Sequence, residues 1–323
     1  AEDTQAAIVE VLANVLASPH FLYLVQSPDP DSFEIATRLS MFLWSSLPDE
    51  ELLALAENQK LNDPVVLQEQ VDRLLADPRS ERFSKHFVRQ WLGLDLLDYL
   101  KVDAKVYRQF DADLKESMQQ EPIAFFDEIL TNNQSVLNFL HADFAMVDER
   151  LAKHYGITAD LRGGGEFQRV SLDQLHRGGL LSQAGLLAMN SDGKDSHPLK
   201  RGIWLLEKIL NDPPPPPPPS VPEIDLADPE ILKMTLKERM EDHRNDPACL
   251  SCHQRIDPWG IVFENFDAVG AWRETIGKQP VDANATLFNQ ERLEGIEGLK
   301  EYLLLNRQDQ FANALVHKMS AYA

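Results

Sequence analysis

Apolar residues recur at spacings of three and four through most of the chain, the period of helices that bury one face, and strict strand-type alternation is scarce. The pattern predicts a mainly α fold. Ile8, Leu12, Val15 and Leu16 form one apolar stripe, interrupted at Ser18-Pro19 because proline has no amide hydrogen and restricts the residue before it. Asp63-Pro64 reads as an N-cap followed by a first-turn proline, with Val66, Leu67, Val71, Leu74 and Leu75 on the inner face and Asp77-Pro78 as the stop. Ser80 is then placed to cap a helix in which Phe83, Phe87 and Trp91 recur every fourth residue. Leu114, Met118, Phe125, Phe126 and Ile129 continue the pattern up to Asn132-Asn133, and Asp148 to Tyr155 gives a short helix ended by Gly156.

Gly163 to Gly165 break the helical run. They lack the Gly-Lys-Ser/Thr ending of a phosphate loop and read as a turn and domain boundary. Beyond them comes a compact apolar run, Leu180 to Met189, then a polar loop from Asn190 to Lys200 and a helix from Arg201 to Leu210. Seven consecutive prolines, Pro213 to Pro219, predict a polyproline II strut roughly 22 Å long. Asp228-Pro229 opens a further helix to about Asp242, and Leu299 to Tyr322 is again helical in period. The composition adds one constraint: 52 acidic against 31 basic residues in 323 give a net charge of −21, which disfavours nucleic acid and anionic lipid as partners. No stretch approaches the ~18 apolar residues of a membrane span. The chain opens on Ala-Glu-Asp with no apolar leader and stops directly after a helical run, as expected of a processed or truncated piece.

The only two cysteines stand in Cys249-Leu250-Ser251-Cys252-His253, the spacing of c-type haem attachment. Two thiols three residues apart can form thioethers with the two vinyl groups of one porphyrin, and the adjacent imidazole then serves as an axial iron ligand. Three other uses of the pair remain open on residue type alone. A thioredoxin-like redox pair needs a βαβ setting that this helical pattern does not provide. A zinc site would have to recruit His243 or another distant histidine, and a disulfide between residues three apart would close too short a loop to stabilise much. Covalent haem is the reading adopted, and because such haem is attached outside the bacterial cytoplasm it carries an expectation of export to the periplasm or cell exterior.

Arg177-Gly178-Gly179-Leu180-Leu181-Ser182-Gln183, His197-Pro198-Leu199-Lys200-Arg201-Gly202, the proline run, His243-Arg244, the cysteine motif, and Asp257-Pro258-Trp259-Gly260 through Glu264-Asn265-Phe266-Asp267 follow one another in the order found in one family. The first half adds Ser18-Pro19-His20-Phe21-Leu22-Tyr23, Arg38 to Trp44, and Gln90-Trp91-Leu92-Gly93. The chain resembles the planctomycete-type c-type cytochromes, exported multidomain proteins of poorly defined role. The resemblance implies a helical domain over 1–165, a haem-bearing domain over 166–273 and a short helical segment over 274–323, with further haem domains or subunits elsewhere.

Within that frame, haem c is expected on Cys249 and Cys252, with His253 as the proximal ligand, in a site between the haem helix near 248–256 and the segment 177–202. Arg177, Arg201 and Arg255 are candidates for the anionic propionates, and Trp259 and Trp272 for the porphyrin face. Asp257-Pro258 is expected to end the haem helix as a turn. For the distal iron position His197 ranks first, because Pro198 fixes its loop, and Met189 second. Electron transfer to a partner with a basic docking surface is the leading expectation. The alternatives are a peroxidase-like haem oxidoreductase with an open or weakly held sixth position, and a surface recognition module that carries a cytochrome.

Overall fold

The computed structural model describes residues 2–23, 27–161, 163–172, 176–216 and 247–323, and only the backbone of 2, 3, 20 and 247–251. The predicted helix after Asp228, the residues His243 and Arg244, and the last three prolines of the run lie outside the described residues. The fold is mainly α, as the periodicity predicts, and the described chain divides into two compact units, Ala1–Phe83 and Ser84–Ala323.

In the first unit α1 (Glu2–Leu16) and α2 (Pro19–Leu22) flank the Ser18-Pro19 break, and the stripe of Ile8, Leu12, Val15 and Leu16 is exposed. Asp31 starts α3 (Ser32–Trp44) by accepting from the amides of Phe33 and Glu34, while Glu34 accepts in return from the Asp31 amide. Beyond α4 (Glu50–Glu57), α5 (Pro64–Ala76) has the expected Asp63 cap and proline start. The fully buried Trp44 ring ties α3 to α5, with Nε1 donating to Leu74 O at 2.9 Å and the Arg79 guanidinium 3.4 Å above the ring. Ser80 is no N-cap: its hydroxyl donates back to Leu75 O, and Asp77 instead caps the turn Pro78–Ser80 that leads into α6 (Glu81–Leu92).

In the second unit, α6 continues past α7 (Leu96–Tyr99) to the long α8 (Ala112–Thr131). The inward faces of α6 and α8 meet where Phe87 packs against Phe126 at 5.5 Å, with Trp91 stacked on Phe87 and Phe139 on Phe126, each at 5.6 Å. A two-stranded antiparallel sheet follows, β1 (Phe144–Val147) with β2 (Gln168–Ser171), pairing Phe144 with Ser171, and between the strands α9 (Glu149–Tyr155) ends at Gly156 with φ 69°. The apolar run becomes a 3-10 turn and α10 (Ala184–Met189). The next helix starts three residues earlier than its period suggests: α11 (Pro198–Trp204) has Pro198 in its first turn and continues as a π-helical turn over Leu205–Ile209. Two indole N–H groups anchor this segment, Trp91 to Lys208 O at 2.7 Å and Trp204 to Leu92 O at 3.0 Å. The cysteine-bearing helix is α12 (Pro247–Ile261). It does not end at Asp257-Pro258, because burial of Trp259, Ile261, Val262 and Phe263 outweighs the amide that Pro258 cannot supply. Short antiparallel pairs, β3 (Thr275–Ile276) with β4 (Gln279–Pro280) and β5 (Asn284–Thr286) with β6 (Arg292–Glu294), precede α13 (Gly295–Asn306) and α14 (Gln308–Tyr322), which replace the single C-terminal helix of the sequence pattern.

The expected divisions near 165 and 273 both lie within the second unit, where His154 Nε2 meets Val269 O at 2.9 Å and the Tyr322 ring meets Phe87 edge-on at 5.5 Å. Its core also holds a polar cluster. Tyr155 donates from its hydroxyl to Glu121 Oε2 at 2.6 Å, accepts from the Ala184 amide at 2.8 Å, and lies under the Arg177 guanidinium at 3.6 Å. Burial pushes the Glu121 carboxyl up to about 8, against the opposing pull of Tyr155 and Arg177.

The tightest contact in the unit joins α11 to α12. A methyl group on Gly260 would lie 1.8 Å from Pro198 O, and one on Gly202 would lie 2.7 Å from Ile256 O, so each helix lies against the other's backbone. Gly260→Ala is therefore expected to cost ~3 kcal/mol or more in urea unfolding, at or above the upper end of ordinary overpacking. Glu121→Gln tests the buried carboxyl. A folded-state pKa raised from 4.5 to about 8 gives stability that is present at low pH and lost as pH rises through that window. The unfolding midpoint of Glu121→Gln minus that of the parent should accordingly grow from pH 5 to pH 8, and a gap independent of pH would show that Glu121 ionises normally.

Candidate functional site

Helix α12 decides what the site can contain. At 3.6 residues per turn, positions 249, 252, 256 and 259 share one face, and 253 and 257 share the neighbouring one. The first face borders a cavity of about 630 Å³, within the range of small-molecule and cofactor sites. Cys252, Arg255, Ile256 and Trp259 supply its α12 wall. Trp259 is 8% exposed and packs edge-on against Tyr302 at 6.0 Å, which fixes the indole at the rim. The facing walls are Leu206 with Asp212 and Pro213 to Pro215 on one side, and Leu287 to Asn289 with Arg307 on the other. The prolines thus form part of a chamber wall, and prolines carry no N–H that would need a partner there.

The second face holds a hydrogen-bonded pair in register. His253 Nδ1 lies 3.0 and 3.1 Å from the two carboxylate oxygens of Asp257, one turn on, whose side chain is fully buried while that of His253 is 18% exposed. A carboxylate can only accept, so Nδ1 donates to it. This is the second-sphere arrangement that orients a metal-binding imidazole and raises its basicity.

The remaining candidates from the sequence go elsewhere. Arg177 is buried and donates to Ser182 O at 2.6 Å and Gly270 O at 2.8 Å. Arg201, 1% exposed, donates to the carbonyls of Phe263, Phe266, Leu187 and Asp267 at 2.5 to 3.4 Å. Both guanidinium groups are therefore committed through their Nη atoms to main-chain oxygens and hold the loop after α12, away from the cavity wall. Arg273 pairs with Asp195 at 2.7 Å, and Trp272 stacks on His176 at 3.9 Å. Met189 is core in α10. His197 caps α11, its Nδ1 accepting from the Lys200 amide at 3.4 Å, and burial holds the ring below the usual histidine range. Neither Met189 nor His197 lines the cavity, because the two-helix contact puts their segment against the other side of α12. Of the residues named in the sequence, Cys252, Arg255 and Trp259 are brought together on the cavity, with His253 on the adjoining face; the Cys249 side chain lies outside the described residues. The sequence marks Asp257 as a turn former before Pro258, and its i to i+4 spacing from His253 is the signal of the contact it makes instead. Arg307, Phe288 and the proline wall had no local signal, since distant segments deliver them.

Residues 31–157 match the family model described as PSD4, protein of unknown function (DUF1592), and residues 177–276 match PSCyt3, protein of unknown function (DUF1588). Both are planctomycete cytochrome c-type families. No curated protein and no solved structure matches the chain. The PSCyt3 region contains α12 with its cysteine motif, whereas Leu287, Phe288, Asn289 and Arg307, which close the cavity, lie beyond its end.

The residues present fit a haem. One cysteine of the motif, Cys252, faces the chamber, the imidazole beside it is oriented through Nδ1 by Asp257, and the Nε of Arg307 on the facing wall is a buried donor with no partner among the described residues, as an anionic group would require. Among the described residues, no helix is long and apolar enough to cross a membrane, and no cluster of three or more His, Cys, Asp or Glu could hold a metal ion.

Proposed function

We propose that the chain is a c-type cytochrome that transfers electrons outside the cytoplasm. The observation that carries this reading is the buried Asp257 carboxylate on His253 Nδ1, one residue from Cys252 and beside a chamber of cofactor size. Cys249 and Cys252 would hold haem c through thioethers, His253 Nε2 would take the proximal iron position, and Trp259 and Ile256 would pack the macrocycle. The bound haem supplies a one-electron Fe(II)/Fe(III) couple. Asp257 holds the imidazole proton at Nδ1 and, as a fixed negative charge, favours the more positive ferric state. A net charge of −21 over the whole chain would draw in a redox partner with a basic surface.

A second reading, a haem-dependent oxidoreductase of peroxidase type, gains from the same carboxylate. An imidazole made more basic by Asp257 pushes electron density to the iron, and the chamber leaves room for a small substrate. The spin state separates the two: a low-spin six-coordinate ferric spectrum supports electron transfer, and a high-spin spectrum with peroxide reactivity supports the oxidoreductase.

Protein matured in a host with haem-attachment machinery should keep a haem stain through denaturing electrophoresis, and the double variant Cys249→Ala, Cys252→Ala should lose it. Bound zinc without haem absorption in the parent protein would overturn the reading. Asp257→Asn removes the charge and keeps an acceptor, so its midpoint potential should rise by about tenfold in the reduction equilibrium, ~59 mV for one electron, with covalent haem retained. An unchanged potential would show that Asp257 does not act on the iron ligand.

A further inference from the structure

Several arginines of the described chain end on carboxylates: Arg73 meets Asp49 at 2.7 Å, Arg89 meets Asp95 at 2.5 Å, and Arg169 meets Glu128 at 2.8 Å. Arg255 and Arg307 do not. Both line the α12 chamber, they reach it from segments about fifty residues apart, and among the described residues neither is paired with a carboxylate. Arg255 lies with its guanidinium carbon 5.0 Å over the Phe288 ring. Arg307, at the joint between α13 and α14, donates from Nη1 to Gln310 Oε1 at 3.1 Å, and its buried Nε has no partner. Buried donors are ordinarily paired, and this one stands on the wall of an open cavity, where a bound acceptor can reach it. One carboxylate, that of the exposed Asp212, also borders the chamber, and its single negative charge leaves the two cations in excess.

We propose that Arg255 and Arg307 bind the two propionate carboxylates of the haem, an assignment that rests on the cytochrome reading above. The planar guanidinium fork matches a carboxylate with two parallel N–H donors, of which Nε is one, and this use satisfies the orphan atom. Arg177 and Arg201 cannot serve, because carbonyl oxygens already take their Nη donors. Arg307 lies beyond the PSCyt3 match, so the C-terminal segment completes the cofactor site instead of following it. Two positive charges held at the propionates favour the ferrous state over the ferric and oppose the effect of Asp257 on the other side of the iron ligand.

The test uses the full haem-loaded chain and the variants Arg307→Gln, Arg307→Lys and Arg255→Gln, with Arg292→Gln as an exposed charge control outside the chamber. Haem stain after denaturation should be equal in all. Arg307→Gln and Arg255→Gln should each lower the midpoint potential by about tenfold in the reduction equilibrium, ~59 mV, with Arg292→Gln near the parent value. In Arg307→Lys the charge remains while the fork is lost, so the potential should largely recover although the propionate-bending bands in the resonance Raman spectrum still shift. Parent-like potentials and parent-like Raman bands in haem-loaded Arg307→Gln and Arg255→Gln would overturn the assignment, as would an equal shift in Arg292→Gln. A parent protein that carries no stain would overturn the cytochrome reading itself, an outcome visible before any potential is measured.

Discussion

The site depends on one steric constraint, the absence of side chains where α11 and α12 cross at Gly202 and Gly260. Backbone against backbone leaves almost no freedom in the rotation of α12 about its axis, and that rotation decides which of its faces is walled in by α11 and which looks onto open space. Cys252, Ile256 and Trp259 face the chamber because Gly260 faces Pro198. Arg201 fixes the same geometry from the far end, gathering the carbonyls of Phe263, Phe266 and Asp267 into a single buried guanidinium. Packing and the cavity wall are thus divided between two faces of one helix, with His253 and Asp257 on the boundary.

The helices were legible in the sequence wherever a cap and a stripe coincided. Asp63-Pro64 and Asp148 to Gly156 fall in place because each carries both its start signal and its stop signal within a few residues. Local signals misled where tertiary burial was stronger. Ser80 had the right residue type for a cap and went to the Leu75 carbonyl, and Pro258 looked like a terminator but is carried inside α12 by the burial around it. The C-terminal pattern ran unbroken through Arg307, where the structure has a joint between two helices.

The cysteine motif pointed to α12, and two of the neighbours named for lying close to it in sequence, Arg255 and Trp259, stand with Cys252 on the cavity wall. Arg177, Arg201, His197 and Met189 did not follow, for one reason: a residue close in sequence to a motif need not face the same space, and these four lie on the packed side of α12 or within the core. Arg307 shows the converse. Fifty-four positions separate it from His253, and only the fold of the intervening hairpins and α13 brings it to the chamber. The arginines that matter to an anionic group were separable from scaffold arginines by where their donors end, which is a property of three-dimensional structure and not of composition.

The proline wall has a consequence for assembly. Pro213 to Pro215 take their place without helix or strand partners, and an ordinary segment in that position would lose ~1–2 kcal/mol of backbone entropy per residue on ordering. Proline surrenders most of that freedom before folding begins, since its ring already fixes φ in the unfolded chain. One side of the chamber is therefore preorganised. Its shape does not have to be imposed by whatever group fills it, and binding energy that would otherwise go into ordering a loop remains available for the contacts of the chamber itself.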